Sequence, residues 1–247
     1  MASAELSEAS LAHARADLAA QGWALLRGLP FATYGTYGTA GTADEEAVLT
    51  LAERFGTPSD RDGGRAVWPV SPRAGHRTGT FSIRAGGAGF HTDSQYHARP
   101  EDIVCLFVVR PAARGGDTLL VTERETVSAL HRHLDGQAAL GALADPVWRW
   151  RTPEVYGTAE QQRPVPVLPG DGTVRWRADN LAARRPGRES RAAAVLLDCL
   201  ESAVAPERIE QRPGDLIVID NHRTMHARTG FRDPRRLLLR VRLWGRP

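Results

Sequence analysis

Lysine is absent from this chain, and all 32 basic side chains are arginine. Against 29 acidic residues they leave a net charge of only +3, yet the isoelectric point is about 9.3 because every cation is a guanidinium. The arginines alternate with acids along most of the chain, and aromatic residues make up only 6%. A nucleic-acid binder clusters its cations and interleaves them with aromatic side chains, so no nucleic-acid partner is expected. Cysteine is almost as scarce. Cys105 and Cys199 stand alone in apolar segments, which excludes a disulfide framework and reads as two buried free thiols. Long apolar runs are missing too: no stretch approaches the roughly 18 residues of a membrane span. Met1 to Leu6 lacks the basic segment and apolar run of a secretory leader. The expectation is a soluble cytoplasmic protein with no membrane partner.

What is present suffices for one well-filled core: 247 residues, 42% of them hydrophobic. One domain over 1–247 is expected, with helical and loop decoration over about 1–79 and a core over about 80–247. Leu6 to Gln21 has helical spacing, with Ser7 or Ser10 as its cap, and Gly22 to Gly28 reads as a short strand. Residues 34 to 42 form a Gly/Thr-rich loop whose glycine spacing does not match a dinucleotide fingerprint. Asp44 to Phe55 predicts a helix that stops at Gly56 and Pro58. From residue 80 the texture turns to short β-like runs: Thr80–Ile83, Ile103–Val109, Thr118–Val121, Val147–Arg151, Val174–Arg177, Leu216–Ile219 and Leu237–Leu243. Helices are predicted over Glu123–His133 and Glu189–Val204. Many short strands between turn signals predict a mainly β fold with flanking helices, a sandwich or jelly roll.

Phe90-His91-Thr92-Asp93 follows a glycine-rich stretch, 85–89. On extended backbone, residues two apart point to one side, so His91 and Asp93 can converge on a metal. Two histidines and one carboxylate on a single face suit non-haem iron and leave three positions open. The pattern is common by chance, and His133-Leu134-Asp135 repeats it. That second pair ends a helical run, where positions two apart diverge by about 200°, and reads as a solvated helix terminus. A distal histidine is offered by the segment Gly214 to Arg228, where an apolar strand runs into a polar turn carrying His222 and His226. Spacing alone does not choose between them.

Three segments together resemble the clavaminate synthase and taurine dioxygenase superfamily. They are His91-Thr92-Asp93, Arg114-Gly115-Gly116-Asp117-Thr118, and Gly214-Asp215-Leu216 through Asp220-Asn221-His222-Arg223-Thr224-Met225-His226 to Phe231, followed by Arg236 and Arg240. The resemblance spans roughly Phe90 to Trp244 and implies a double-stranded β-helix. It selects His226 as the distal ligand, so His91, Asp93 and His226 would hold Fe(II). It assigns Thr118 and Arg236 to the cosubstrate 2-oxoglutarate, a dianion that a guanidinium fork suits. Arg235 is the adjacent competitor for that role.

Arg240, four residues beyond Arg236, corresponds to an arginine that meets an acidic group of the substrate, with Arg242 as its competitor. Gln95 and Tyr96 are further candidates for the pocket lining. Asp179, in Arg177-Ala178-Asp179-Asn180, matches a segment where relatives place a carboxylate for a cationic substrate group. The implied reaction uses O2, converts 2-oxoglutarate to succinate and carbon dioxide, and hydroxylates an unactivated C–H of a small anionic or zwitterionic, amino-acid-like molecule. Asp93 favours hydroxylation over halogenation, because halogenating relatives lack this carboxylate. Desaturation or cyclisation within the same family is the alternative. Outside it stand a Zn-dependent hydrolase, which needs neither Thr118 nor Arg236, and a non-catalytic jelly-roll binding protein.

Overall fold

The computed structural model of the chain describes residues 6–32, 42–73, 75, 80–154, 163–182 and 186–245. Most of the 34–42 loop therefore lies outside the described residues. Helix α1 (Glu8–Gln21) starts where the Ser7 hydroxyl accepts from Ser10 N–H and stops at Gly22, whose φ of 84° is left-handed. A side chain there would also collide with the Thr224 hydroxyl, so Gly22 does two jobs. After β1 (Trp23–Leu26) come α2 (Thr42–Ala52), β2 (Thr57–Pro58), β3 (Val67–Val70), β4 (Ala88–His91), β5 (Ile103–Arg110) and β6 (Thr118–Thr122). Helices α3 (Glu123–Arg132), α4 (Gly136–Leu143) and α5 (Arg188–Asp198) follow. The chain ends with β7 (Glu207–Ile209), β8 (Leu216–Asp220), β9 (Thr224–Arg228) and β10 (Leu237–Trp244).

The strands form two antiparallel sheets that face each other without closing, the expected jelly roll. The larger has the order β1-β8-β5-β10-β2, with β3 also on β10; the smaller is β4-β9-β6-β7. Alternation on β10 divides its side chains between two environments. Leu237, Leu239, Val241 and Leu243 pack with Cys105, Phe107 and Val218 against α1 and α2. Leu238 joins Val104, Leu106, Val108 and Ile217 of the larger sheet and Leu120 and Ile209 of the smaller. Arg240 and Arg242 share the face of Leu238, so they too enter the space between the sheets. The outer face of the smaller sheet, with Val121 and Met225, is covered by α3, α4, α5 and the buried Trp148 and Trp176.

The expectations differ from the fold in several places. Phe81–Ile83 is a 3-10 turn, not a strand. Val147–Arg151 and Val174–Arg177 form only isolated bridges, at Trp148, Trp150 and Arg177, because their tryptophans are drawn into the helical cluster instead of alternating across a sheet. The polar turn after β8 is short, and His226 lies in the next strand, β9. Strands β1, β2 and β3 belong to the larger sheet, so the N-terminal third is structural and not only decoration. Among the described residues, no helix is long and apolar enough to cross a membrane.

Helix α3 begins at a reciprocal cap. Thr122 N–H donates to the Glu125 carboxylate at 2.8 Å, and Glu125 N–H donates to the Thr122 hydroxyl at 3.2 Å. Thr122→Ala is expected to cost about 1 kcal/mol, or roughly 2–4 °C of melting temperature, by thermal denaturation. An unchanged midpoint would show that α3 is held by packing alone.

Candidate metal and cosubstrate site

Antiparallel pairing of β4 with β9 sets His91 directly opposite His226. Cross-strand partners point to the same face, and the two rings lie 4.2 Å apart between centroids. Asp93, two residues past His91, places Oδ1 3.8 Å from His91 Nε2 and 4.0 Å from His226 Nε2. The three donor atoms lie within 4.8 Å of one another, and all three residues are buried. His91 Nδ1 sits 2.9 Å from the Gly89 carbonyl, a bond that leaves Nε2 turned toward Asp93 and free to serve as a donor. Burial pushes the pKa of both histidines down, which keeps them neutral as metal ligands must be. Burial opposes ionisation of Asp93, but the Arg240 guanidinium beside it, with Arg242 further off, outweighs burial and holds the carboxyl well below the usual range. A neutral pair of imidazoles and one carboxylate is the donor set a divalent iron requires, so the residues fit the ion.

The turn joining β8 and β9 locks the two ligand segments together. Asn221 Oδ1 accepts Asp93 N–H at 2.7 Å, and its Nδ2 donates to the carbonyls of Asp93 at 3.0 Å and Glu101 at 2.9 Å. Asp220 Oδ1 accepts from His222 and Arg223 N–H and shapes that turn. His222 points away to Asp102, 3.0 Å from its Nε2, so of the two histidines left open by spacing, His226 stands in the cluster. His133 and Asp135, the other His-x-Asp, sit between α3 and α4, with His133 facing Asp198 instead.

Thr118 and Arg236 line the same cleft as His91, Asp93 and His226. Gln211 links them: its Nε2 donates to the Thr118 hydroxyl at 2.9 Å and its Oε1 accepts from Arg236 Nη2 at 3.2 Å. Arg236 Nη2 also donates to the Gly116 carbonyl at 3.2 Å, and Phe231 lies under the guanidinium. The glycine pair of the 114–118 motif has a physical cause here. A Cβ on Gly115 would stand 2.1 Å from the Gly230 carbonyl oxygen, and one on Gly116 would stand 3.0 Å from Arg236 Nε. Arg236 is 2% exposed, and no carboxylate of the described residues pairs with it. Its Nε and Nη1 are buried without partners, and burial, aided by Arg228, brings its pKa down to about 9. A buried cation with two unused donors is costly alone and fits an incoming carboxylate. Arg235 is exposed and pairs with Asp233.

The other expected pocket residues are placed differently. Arg240 lines the cleft, but it already pairs with Asp62 and Asp93. Arg242 turns to Asp62, Ser94 and Glu101. Gln95 is fully buried and donates to Asn180 Oδ1 at 2.9 Å, while Tyr96 belongs to the helical hydrophobic cluster. Asp179 binds Arg177 through both oxygens, at 2.6 and 3.1 Å. Arg177 itself lines the cleft across from His91, and it also donates to the Thr80 hydroxyl. Sequence reasoning assigned no role to Asp62, Asn221, Arg177 or Gln211. Asn221 and Arg177 lie inside quoted motifs, whereas Asp62-Gly63-Gly64 reads as an ordinary turn and Gln211 carries no signal.

The family model of the taurine catabolism dioxygenase TauD, TfdA family matches residues 2–242. An L-asparagine oxygenase of Streptomyces coelicolor is 30% identical over 240 residues, which cover 90% of this chain and 69% of that protein. Among solved structures, an asparagine oxygenase with Fe(II), 2S,3S-3-hydroxyasparagine and succinate superposes with a TM-score of 0.77 at 24% identity, covering 96% of this chain and 78% of the other. The non-heme iron oxygenase OrfP, with Fe and alpha-ketoglutaric acid, gives 0.73 at 20% identity over 98% and 82%. OrfP has also been solved with Fe, succinate and (3S)-hydroxy-L-Arg.

Asn221→Ala would strip the Asp93 backbone of both buried partners. The expected loss is about 3 kcal/mol, several degrees of melting temperature, together with weaker Fe(II) binding. Melting curves and metal titration of the variant check this; normal stability would mean that the turn is held by other contacts.

Proposed function

The chain belongs to the taurine catabolism dioxygenase TauD, TfdA family, and on that premise we propose that it is a non-haem Fe(II)- and 2-oxoglutarate-dependent oxygenase that hydroxylates an unactivated C–H bond of a small, carboxylate-bearing, amino-acid-like substrate. The observation that carries this reading is the pairing of two unmet needs in one cleft. A three-donor cup of His91, Asp93 and His226 opens toward Arg236, whose Nε and Nη1 are buried without partners. A hydrolytic zinc site has no use for the second feature.

When bound, iron with 2-oxoglutarate supplies the oxidising power, using O2 and releasing succinate and carbon dioxide. The chain's residues do the rest. His91, Asp93 and His226 hold the ion from one side. Arg236 receives the distal carboxylate of 2-oxoglutarate, and Thr118, oriented by Gln211, offers its hydroxyl beside it. Leu106, Leu238 and Val70 line the cleft with apolar surface that excludes water from the reacting carbon. Asp93 keeps its carboxylate, which supports hydroxylation. For the substrate, Arg177 offers Nη1 to a carboxylate while Asp179 holds its other edge. Relatives named for asparagine oxidation or solved with hydroxyarginine support an amino-acid substrate.

Anaerobic addition of Fe(II) and 2-oxoglutarate is expected to produce a metal-to-ligand charge-transfer band in the visible. No band from folded, iron-loaded protein would overturn the reading. His226→Ala should abolish the band, and His222→Ala should spare it. Arg236→Ala should weaken 2-oxoglutarate binding by roughly ten- to a hundredfold, the worth of a charge-assisted hydrogen-bond pair. Free amino acids, L-asparagine and L-arginine first, should stimulate succinate formation. Stimulation only by compounds without an amino-acid group would refute the substrate class.

A further inference from the structure

Strand β2 pairs with the end of β10, and Ser59 N–H continues the register by donating to the Arg242 carbonyl at 2.8 Å. The chain that follows is thereby delivered beside Arg240 and Arg242, where it turns at Asp62-Gly63-Gly64. Asp62, 3% exposed, accepts Arg240 Nη2 on both oxygens at 2.9 Å and Arg242 Nη2 on Oδ1 at 2.6 Å. Arg240 Nη1 donates to Asp93 Oδ2 at 2.9 Å. That is the oxygen turned away from the histidines; Oδ1 is the one facing them. Arg242 Nη1 donates to the Ser94 hydroxyl. Ser94 has a φ of 58°, among the described residues the only non-glycine in the left-handed region, a conformation that costs about 1–2 kcal/mol. The residue after the carboxylate ligand is thus strained and held from behind.

We propose that Asp62 is a positioning residue for the metal-binding carboxylate: through Arg240 it fixes the plane of Asp93 with one oxygen toward the metal, and through Arg242 it holds the Ser94 turn behind it. A carboxylate torsion is broad and two-fold, so an unheld Asp93 can swing or offer both oxygens. Arg240 alone would not suffice. Without Asp62, more of its pull would fall on Asp93 and compete with the cation for that carboxylate. Asp62 divides the pull of Arg240, separates it from Arg242 two residues away, and leaves Asp93 Oδ1 to the metal. Arg240 therefore acts on the iron ligand and not on the substrate's anion. The inference rests on the function proposed above only in taking Fe(II) as the ion.

The test is Fe(II) affinity without 2-oxoglutarate, measured anaerobically by competition with a chromogenic chelator. Asp62→Asn should weaken Fe(II) binding by about tenfold or more, the range for partners that orient a metal ligand. In the iron-saturated variant, 2-oxoglutarate affinity should be unchanged while the charge-transfer band shifts, a split that general loosening would not give. Asp62→Asn combined with Arg240→Gln should lose no more than Arg240→Gln alone, since one device is broken once. Arg240→Lys keeps the buried charge but lacks the planar fork that meets Asp62 and Asp93 from separate nitrogens, and it must show the same weakening if Asp62→Asn does not fold. Wild-type Fe(II) affinity in either folded variant, or losses that multiply in the double variant, would overturn the proposal. Failure of the wild-type band with 2-oxoglutarate would sink the proposed function, yet leave this Fe(II) comparison readable.

Discussion

Everything in the site depends on the register between β4 and β9. His91 stands opposite His226, and a slip of one residue would turn one imidazole to the outer, helix-covered face of the smaller sheet. The register is reinforced away from the histidines. Leu120 on β6 pairs with His226, Thr118 pairs with Arg228, and Asn221 ties the far end of the turn to the Asp93 backbone. The ladder that places His226 also places Thr118 on the same face. The proposed metal and cosubstrate positions are thus two readouts of one set of strand pairings.

Charge in this interior is organised by partner, because the space between the sheets is largely buried. Four arginines line the cleft and none is interchangeable with another. Arg228 gives its donors to the backbone carbonyls of Gly86, Phe81 and Arg84. Arg240 is divided between Asp62 and Asp93. Arg177 is held along one edge by Asp179. Arg236, like Arg228, meets only neutral groups among the described residues, the Gly116 carbonyl and the Gln211 amide, but it differs in leaving Nε and Nη1 buried without partners. A buried cation with unused donors is costly unless an anion arrives, which sets the proposed cosubstrate position apart from the structural ones.

The chain itself carried the strand period, the caps and the three motif segments in order, because each of these is a local pattern. α1 with Ser7 and Gly22, β5, β6, β8 and β10 follow from apolar alternation and turn chemistry in short windows. Where tryptophans at 148, 150 and 176 were drawn into the helical cluster, alternation misled, since burial on one side overrides a strand propensity. His-x-Asp occurs twice in the chain, and only the family's companion motifs distinguish the metal ligands from the helix terminus at His133.

Residue type by residue type, the sequence alone determined that this chain holds two histidines and a carboxylate, a threonine two residues past a glycine pair and a run of arginines in the order the family uses. Which arginine does what was decided only by the tertiary structure. The partner of Arg240 lies 178 residues earlier, in a turn with no distinguishing pattern, and that of Asp93 N–H lies 128 residues later. Electrostatics acts through space and not along the chain. An arginine's role is set by the nearest anion in a low-dielectric interior, and that distance exists only after β2, β4, β9 and β10 have paired.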